Sequence, residues 1–156
     1  QPYSSTELLE LYKQLRSLYH VFYIEDPYQE GDTGSWQQIT QELGETTKIV
    51  GDDLLVTNKA KTQTAITQKL CNTLLVKPNQ TGTISETIEV IKLAKEAHWQ
   101  VIMSHRSGET NDDFIADFAV GVGADYTKFG PPNRGERISK YNRLLQIDFE
   151  IEQSKL

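Results

Sequence analysis

Sulfur is scarce in this chain of 156 residues: Cys71 is the only cysteine and Met103 the only methionine. One cysteine excludes an internal disulfide and suits a reducing, cytosolic setting, in which the ordinary role of such a residue is that of a small buried hydrophobe. A translated chain begins with methionine, so the expectation is a segment of a longer product. Apolar runs are short as well. With 37% hydrophobic and 24% charged residues, no stretch of about 18 apolar residues is available to span a membrane. The opening Gln1 to Ser5 carries neither the basic start nor the apolar stretch of a signal peptide. Basic tracts are missing and the formal charge is -6, which argues against nucleic acid as the main partner. A small anionic substrate would need a local positive pocket. No His-x-x-x-His or Cys-x-x-Cys spacing offers a zinc site. Gly-x-Ser-x-Gly, the Walker loop and Gly-x-Gly-x-x-Gly are absent too, which removes the usual marks of a serine hydrolase, a P-loop and a dinucleotide fold.

What is present is a repeating βα period. Residues 4–18 open with cap-type hydroxyls and place Leu8, Leu11, Leu15 and Leu18 at helical spacing. A β-prone run, Tyr19 to Ile24, stops at Glu25, Asp26 and Pro27, where proline ends the ladder. After a loop with Gly31 and Gly34, helices are expected near Trp36 to Leu43 and Lys59 to Leu70, with strands at Lys48 to Val50 and Thr73 to Val76. Thr83 to Ala97 is the clearest helix: Thr83 and Glu86 are spaced as a capping box, and Ile84, Ile88, Ile91 and Ala94 or Ala97 share a face. Then follow a strand at Trp99 to Met103, a helix over Asp112 to Val122, a strand at Ala124 to Thr127 and a helix from Arg134 to Glu150. Five strands separated by helices demand a parallel sheet with right-handed crossovers. Two architectures answer to that pattern, a doubly wound sheet or most of a β/α barrel. The missing initiator methionine and the missing glycine-rich turn favour the barrel segment.

In either architecture functional side chains gather at the carboxyl ends of strands. Glu25, Asp52, Lys77, His105 and Lys128 all follow apolar runs and so fall there. Glu25 and Asp52, with Asp26 and Asp53 beside them, are oxygen ligands of the kind Mg²⁺ prefers. The plainer role for such acids is to cap the next helix or stay solvated in a loop. Lys77 and Lys128 facing one cavity would repel, which leaves the more buried amine neutral and able to take a proton from carbon; snorkelling lysines are the alternative. Ser104, His105, Arg106 and Ser107 group two hydroxyls, an imidazole and a guanidinium, and Arg106 with Ser107 suits a phosphate group. A helix cap with a core histidine is the competing reading. His20 and His98 stand alone and read as structural.

Taken with Ile24 to Pro27, Gly51 to Asn58, Leu74 to Gly82, Ser104 to Thr110, Phe114 to Asp117 and Gly135 to Leu145, these residues resemble the signatures of the enolase family, in that family's order and over nearly the whole chain. The resemblance implies the carboxyl-terminal five βα units of an α/β enolase-type barrel, incomplete in this chain, with the amino-terminal domain and first barrel strands absent. It implies Mg²⁺-dependent dehydration of 2-phosphoglycerate to phosphoenolpyruvate in glycolysis by a cytoplasmic parent protein, a homodimer at full length. Lys77 would be the proton acceptor, Glu25 and Asp52 magnesium ligands that also face substrate, and Lys128 the contact to the substrate carboxylate. Ser104 to Ser107 would line the substrate, with His105 in the catalytic set and Arg106 and Ser107 on the phosphate. Small departures are Pro78, Gly130 to Pro132, and a longer loop after Pro27. The family's third metal aspartate, acid-step glutamates and closing loop have no counterpart, so the segment alone is expected to be inactive. Alternatives are an enolase fold used as a structural or binding component of a larger assembly, and another acid dehydratase of the same superfamily, which the Arg106 and Ser107 pair disfavours.

Overall fold

The computed structural model describes residues 2–154. They form two compact units, one up to Gln100 and one from Val101 onward. In the first unit, α1 (Ser5–Tyr19), β1 (Tyr23–Glu25), α2 (Thr33–Leu43), β2 (Lys48–Gly51), α3 (Lys59–Gln68), β3 (Thr73–Val76), α4 (Pro78–Thr81) and α5 (Ile84–Glu96) follow one another. The three strands pair in parallel and in chain order, with Glu25 opposite Val50 and Gly51 opposite Leu74. Strands of a parallel sheet are buried on both faces, which is why Leu74 to Val76 read as an unbroken apolar run and why all four residues of β3 are buried. Ile49, Val50, Leu74, Leu75 and Val76 are fully enclosed, as are Trp36 and Ile39 of α2. Trp36 keeps its ring nitrogen satisfied by donating to the Gln29 carbonyl at 3.1 Å.

The second unit holds β4 (Gln100–Ser104), α6 (Phe114–Gly121), β5 (Tyr126–Lys128) and α7 (Gly135–Gln153). β4 and β5 are parallel, with Ser104 opposite Lys128, so the last residues of the two strands are side by side. α6 packs on α7, and Arg143 clasps Asp117 with contacts of 2.9 and 2.6 Å.

The expected βα order is present, with four local differences. Tyr19 belongs to α1, which ends on His20 in the left-handed region at φ 54°, so β1 is only the three residues that find ladder partners on β2. The four-residue helix α4 has no counterpart in the sequence expectations; Lys77 precedes it in extended conformation and Pro78 occupies its first position, where a missing N–H costs nothing. α6 begins at Phe114 rather than Asp112, because the Asp112 carboxylate accepts the Phe114 N–H at 3.0 Å and closes a turn ahead of the helix. On α5 the buried stripe is Thr87, Val90, Ile91 and Ala94, and Ile84 is 39% exposed. α5 packs against α3, whose own buried residues are Thr62 and Ala65.

Candidate active site

Three residues of the first unit meet at the carboxyl ends of neighbouring strands. Glu25 closes β1, Asp52 follows β2 and Lys77 follows β3. The Lys77 ammonium donates to both oxygens of Asp52, at 2.7 and 2.5 Å, with the two side chains 15% and 8% exposed. Burial pushes the Asp52 carboxyl above its ordinary value, Lys77 opposes that shift, and Glu25 and Asp26 add to it by repulsion. Glu25 accepts a hydrogen bond from the Tyr23 hydroxyl. Burial and that bond raise the phenol, keeping it protonated and fixing one carboxylate oxygen of Glu25.

Asp26, which the sequence marks only as an acid beside the candidate metal ligands, and Thr57, which it gives no role, hold this arrangement in shape. Asp26 has φ 42°, and its two oxygens accept the N–H groups of Asp52 at 3.0 Å and Asp53 at 2.8 Å, which tie the end of β1 to the turn after β2. Burial raises its carboxyl as well, against those hydrogen bonds. Thr57 accepts the Lys77 N–H on its hydroxyl at 2.9 Å, donates that hydroxyl to Gln80 at 3.0 Å, and takes the Thr81 hydroxyl on its carbonyl at 3.0 Å. Val56 and Thr57 adopt φ of 44° and 51°, a region that costs β-branched residues on the order of 1–3 kcal/mol each. The strain is sustained beside the site, where the turn delivers Lys77.

One oxygen each from Asp26, Asp52 and Asp53 lies within 4.8 Å of the others. Hard oxygen donors, one of them buried and disfavoured as an anion, suit a hard divalent cation rather than zinc or copper. Glu25 stands outside that group of three and enters through its repulsion of Asp52.

The second unit gathers the remaining candidates. Ser104 is buried and donates its hydroxyl to the His105 carbonyl at 3.0 Å; the His105 N–H donates to the Lys128 carbonyl at 3.0 Å. Arg106 and Lys128 are half-buried and Ser107 is exposed. Burial lowers His105, with Arg137 the next cause, so the imidazole is neutral near pH 7. Its buried Nδ1 finds no hydrogen-bond partner among the described residues. Gly130, at φ 81°, lies against this ring: a Cβ there would stand 2.8 Å from His105 Cε1 and 2.8 Å from Arg137 Cδ. Only glycine fits both the conformation and the space. The Tyr141 hydroxyl of α7 donates to the Gly130 carbonyl and pins that turn.

Parallel βα units with a carboxylate–lysine cluster at the carboxyl ends of their strands define an α/β protein whose charged side chains gather on the rim where this class carries its functional groups. Comparison with known families narrows that class. Residues 1–155 match the family described as enolase, C-terminal TIM barrel domain, and the chain belongs to the enolase family. It is 49% identical over 151 residues to the enolase of Solanum lycopersicum, covering 97% of this chain and 34% of that protein. It is 50% identical over 147 residues to the enolase of Helicobacter pylori strain HPAG1, at 94% and 34% coverage. Enolase 2 of Hevea brasiliensis is 47% identical over 151 residues, at 97% and 34%. The chain thus spans about a third of the length of the curated relatives it matches.

Proposed function

We propose that the protein to which this chain belongs is a working enolase, which dehydrates 2-phosphoglycerate reversibly to phosphoenolpyruvate. The observation that carries the reading is Lys77, enclosed at the end of β3 with its amine on Asp52 and its backbone held by Thr57. In this reaction the C2–H bond breaks, its electron pair forms the C2=C3 bond, and the C3 hydroxyl departs as water after gaining a proton. Lys77 is the acceptor of the C2 proton. To serve, it must present a free amine, so the ion pair to Asp52 opens as the site loads and Asp52 turns its oxygens elsewhere.

Glu25 and Asp52 would hold magnesium, with Asp26 fixing the turn at Asp52 and Asp53. A bound divalent ion supplies positive charge that makes a proton beside a carboxylate acidic enough for an amine to remove. A lysine or histidine base working beside magnesium is the general pattern of the enolase superfamily. Lys128 faces the substrate carboxylate and offsets charge on the enolate, Ser104 and neutral His105 line the substrate, and Arg106 with Ser107 receives the phosphate. The parent acts in the cytoplasm as a homodimer. The single buried thiol supports that compartment, and no helix among the described residues is long and apolar enough to cross a membrane.

Replacing Lys77 with alanine in the full-length protein should abolish exchange of the C2 proton with solvent while substrate still binds. Exchange that persists at the wild-type rate would remove Lys77 from the role of base. Magnesium-dependent turnover by the unaltered full-length protein would rule out a purely structural use of the fold.

A further inference from the structure

α7 carries a lysine whose surroundings have no counterpart in the site described above. Lys140 is 1% exposed, and its ammonium has four acceptors: the Thr110 carbonyl at 3.0 Å, the Asp112 carbonyl at 2.9 Å, the Glu136 carbonyl at 2.7 Å and Glu109 Oε2 at 3.0 Å. Three N–H groups serve four acceptors, so none of the ammonium's hydrogen-bonding capacity is idle. An ammonium this deep is costly unless it is fully partnered, and here its partners depend on it in turn for their donor. What the charge adds is its grip on the segment after β4. The other oxygen of Glu109 accepts the Arg106 N–H at 2.7 Å, so one carboxylate links the Lys140 ammonium to the backbone of Arg106. Thr110 and Asp112 are the returning limb of the same loop. Residues 105–113 contain no helix or strand, and Gly108 has open space around it, so nothing regular in the backbone fixes the turn.

We propose that Lys140 is a positioning residue for phosphate recognition: through Glu109 and the Thr110 and Asp112 carbonyls it sets the loop that presents Arg106 and Ser107. The inference rests on the reading that these two residues receive the substrate phosphate. A guanidinium fork needs a fixed backbone to meet a phosphate bidentately, and a misplacement of about 1 Å costs up to about a hundredfold in such sites. Lys140 supplies that fixity from a helix rather than from the loop itself.

The test uses the full-length protein with three variants, Lys140→Met, Glu109→Gln and Arg106→Gln. The readouts are KM and kcat for 2-phosphoglycerate, the inhibition constant of inorganic phosphate, and amide hydrogen exchange over residues 106–112. Glu109→Gln keeps the shape of the link and removes its charge; it should raise KM and weaken phosphate inhibition by the same factor, about tenfold, and speed exchange at Arg106. Lys140→Met should exceed it on all three readouts. Should Lys140→Met fail to fold, Glu109→Gln decides alone, since Glu109 lies at the edge of the buried cluster with its side chain 16% exposed. A lower melting temperature in these variants with KM, phosphate inhibition and loop exchange unchanged would overturn the proposal, because Lys140 would then only staple α7. Unchanged KM and phosphate inhibition in Arg106→Gln would overturn the phosphate-site reading, and this inference with it.

Discussion

Neutral His105, pressed against Gly130 with no partner for its Nδ1 among the described residues, ties stability to pH in a definite direction. Its folded-state pKa lies below the ordinary 6.5 because burial disfavours the imidazolium. The unfolded chain therefore takes up this proton first as pH falls. The stabilising contribution is whole above about pH 6.5 and is lost as pH drops toward the folded value, below which nothing further is lost. Urea midpoints between about pH 8 and 5 should decline more steeply for the wild-type protein than for His105→Gln. Equal slopes would show that the ring is protonated as easily in the fold as out of it. The same scale shows what could be read in advance. Glu25, Asp52, Lys77, His105 and Lys128 were legible because each is a polar residue at the end of an apolar run, and the strands do end there. Asp26 and Thr57 were not, because both act through backbone geometry. Asp26 accepts N–H groups from a turn 26 and 27 residues away, and Thr57 sits at a positive φ that a β-branched residue rarely adopts. No pattern of residue types announces either.

Element by element, periodicity and capping identified helices well and their buried faces less well. α1 starts as its hydroxyls require: Ser4 Oγ accepts the Glu7 N–H at 3.3 Å and Glu7 returns the bond to the Ser4 N–H at 2.8 Å. Yet Leu9 is its fully buried residue, and Leu18, on the expected apolar stripe, is 70% exposed. α5 departs in part: Ile91 and Ala94 of the expected stripe are buried, but Thr87 and Val90 join them in place of exposed Ile84. Hydrophobicity names the residues that gain from burial; the partner's shape decides which of them obtain it. That argument has a direct check at Ala65, 1% exposed where α3 meets the rest of the unit. Ala65→Leu adds three carbons at a buried position and should destabilise the fold by about 1–3 kcal/mol, whereas the change at exposed Ala60, on the same helix, should be near neutral. Chemical denaturation of the two variants separates the outcomes. Similar stability for both would mean that the surroundings of Ala65 are loosely packed.

On the scale of the whole molecule, the βα order was legible because parallel strands need long crossovers, while the choice between an open sheet and a barrel was not, because both share that order. Membership of the enolase family decides it. The protein's charge balance leads to a final expectation. Asp26, Asp52 and Asp53 bring three carboxyl oxygens within 4.8 Å, and the Lys77 ammonium meets this cluster at Asp52. Burial already disfavours the anionic forms of Asp26 and Asp52, so the folded state carries an electrostatic cost near pH 7 that one monovalent ammonium offsets only in part. A divalent cation held by Asp52 would relieve that cost in the folded state alone, and binding to the folded state raises stability by about 2.7 kcal/mol at a hundredfold excess over Kd. The thermal midpoint of the full-length protein should therefore rise with added magnesium and return on chelation. Asp52→Asn removes the buried anion but keeps its shape, so it should abolish most of that rise. If the magnesium-induced rise were the same size in Asp52→Asn, the ion would be held elsewhere, and the Lys77–Asp52 pair would be a structural contact that loading of the site does not need to open.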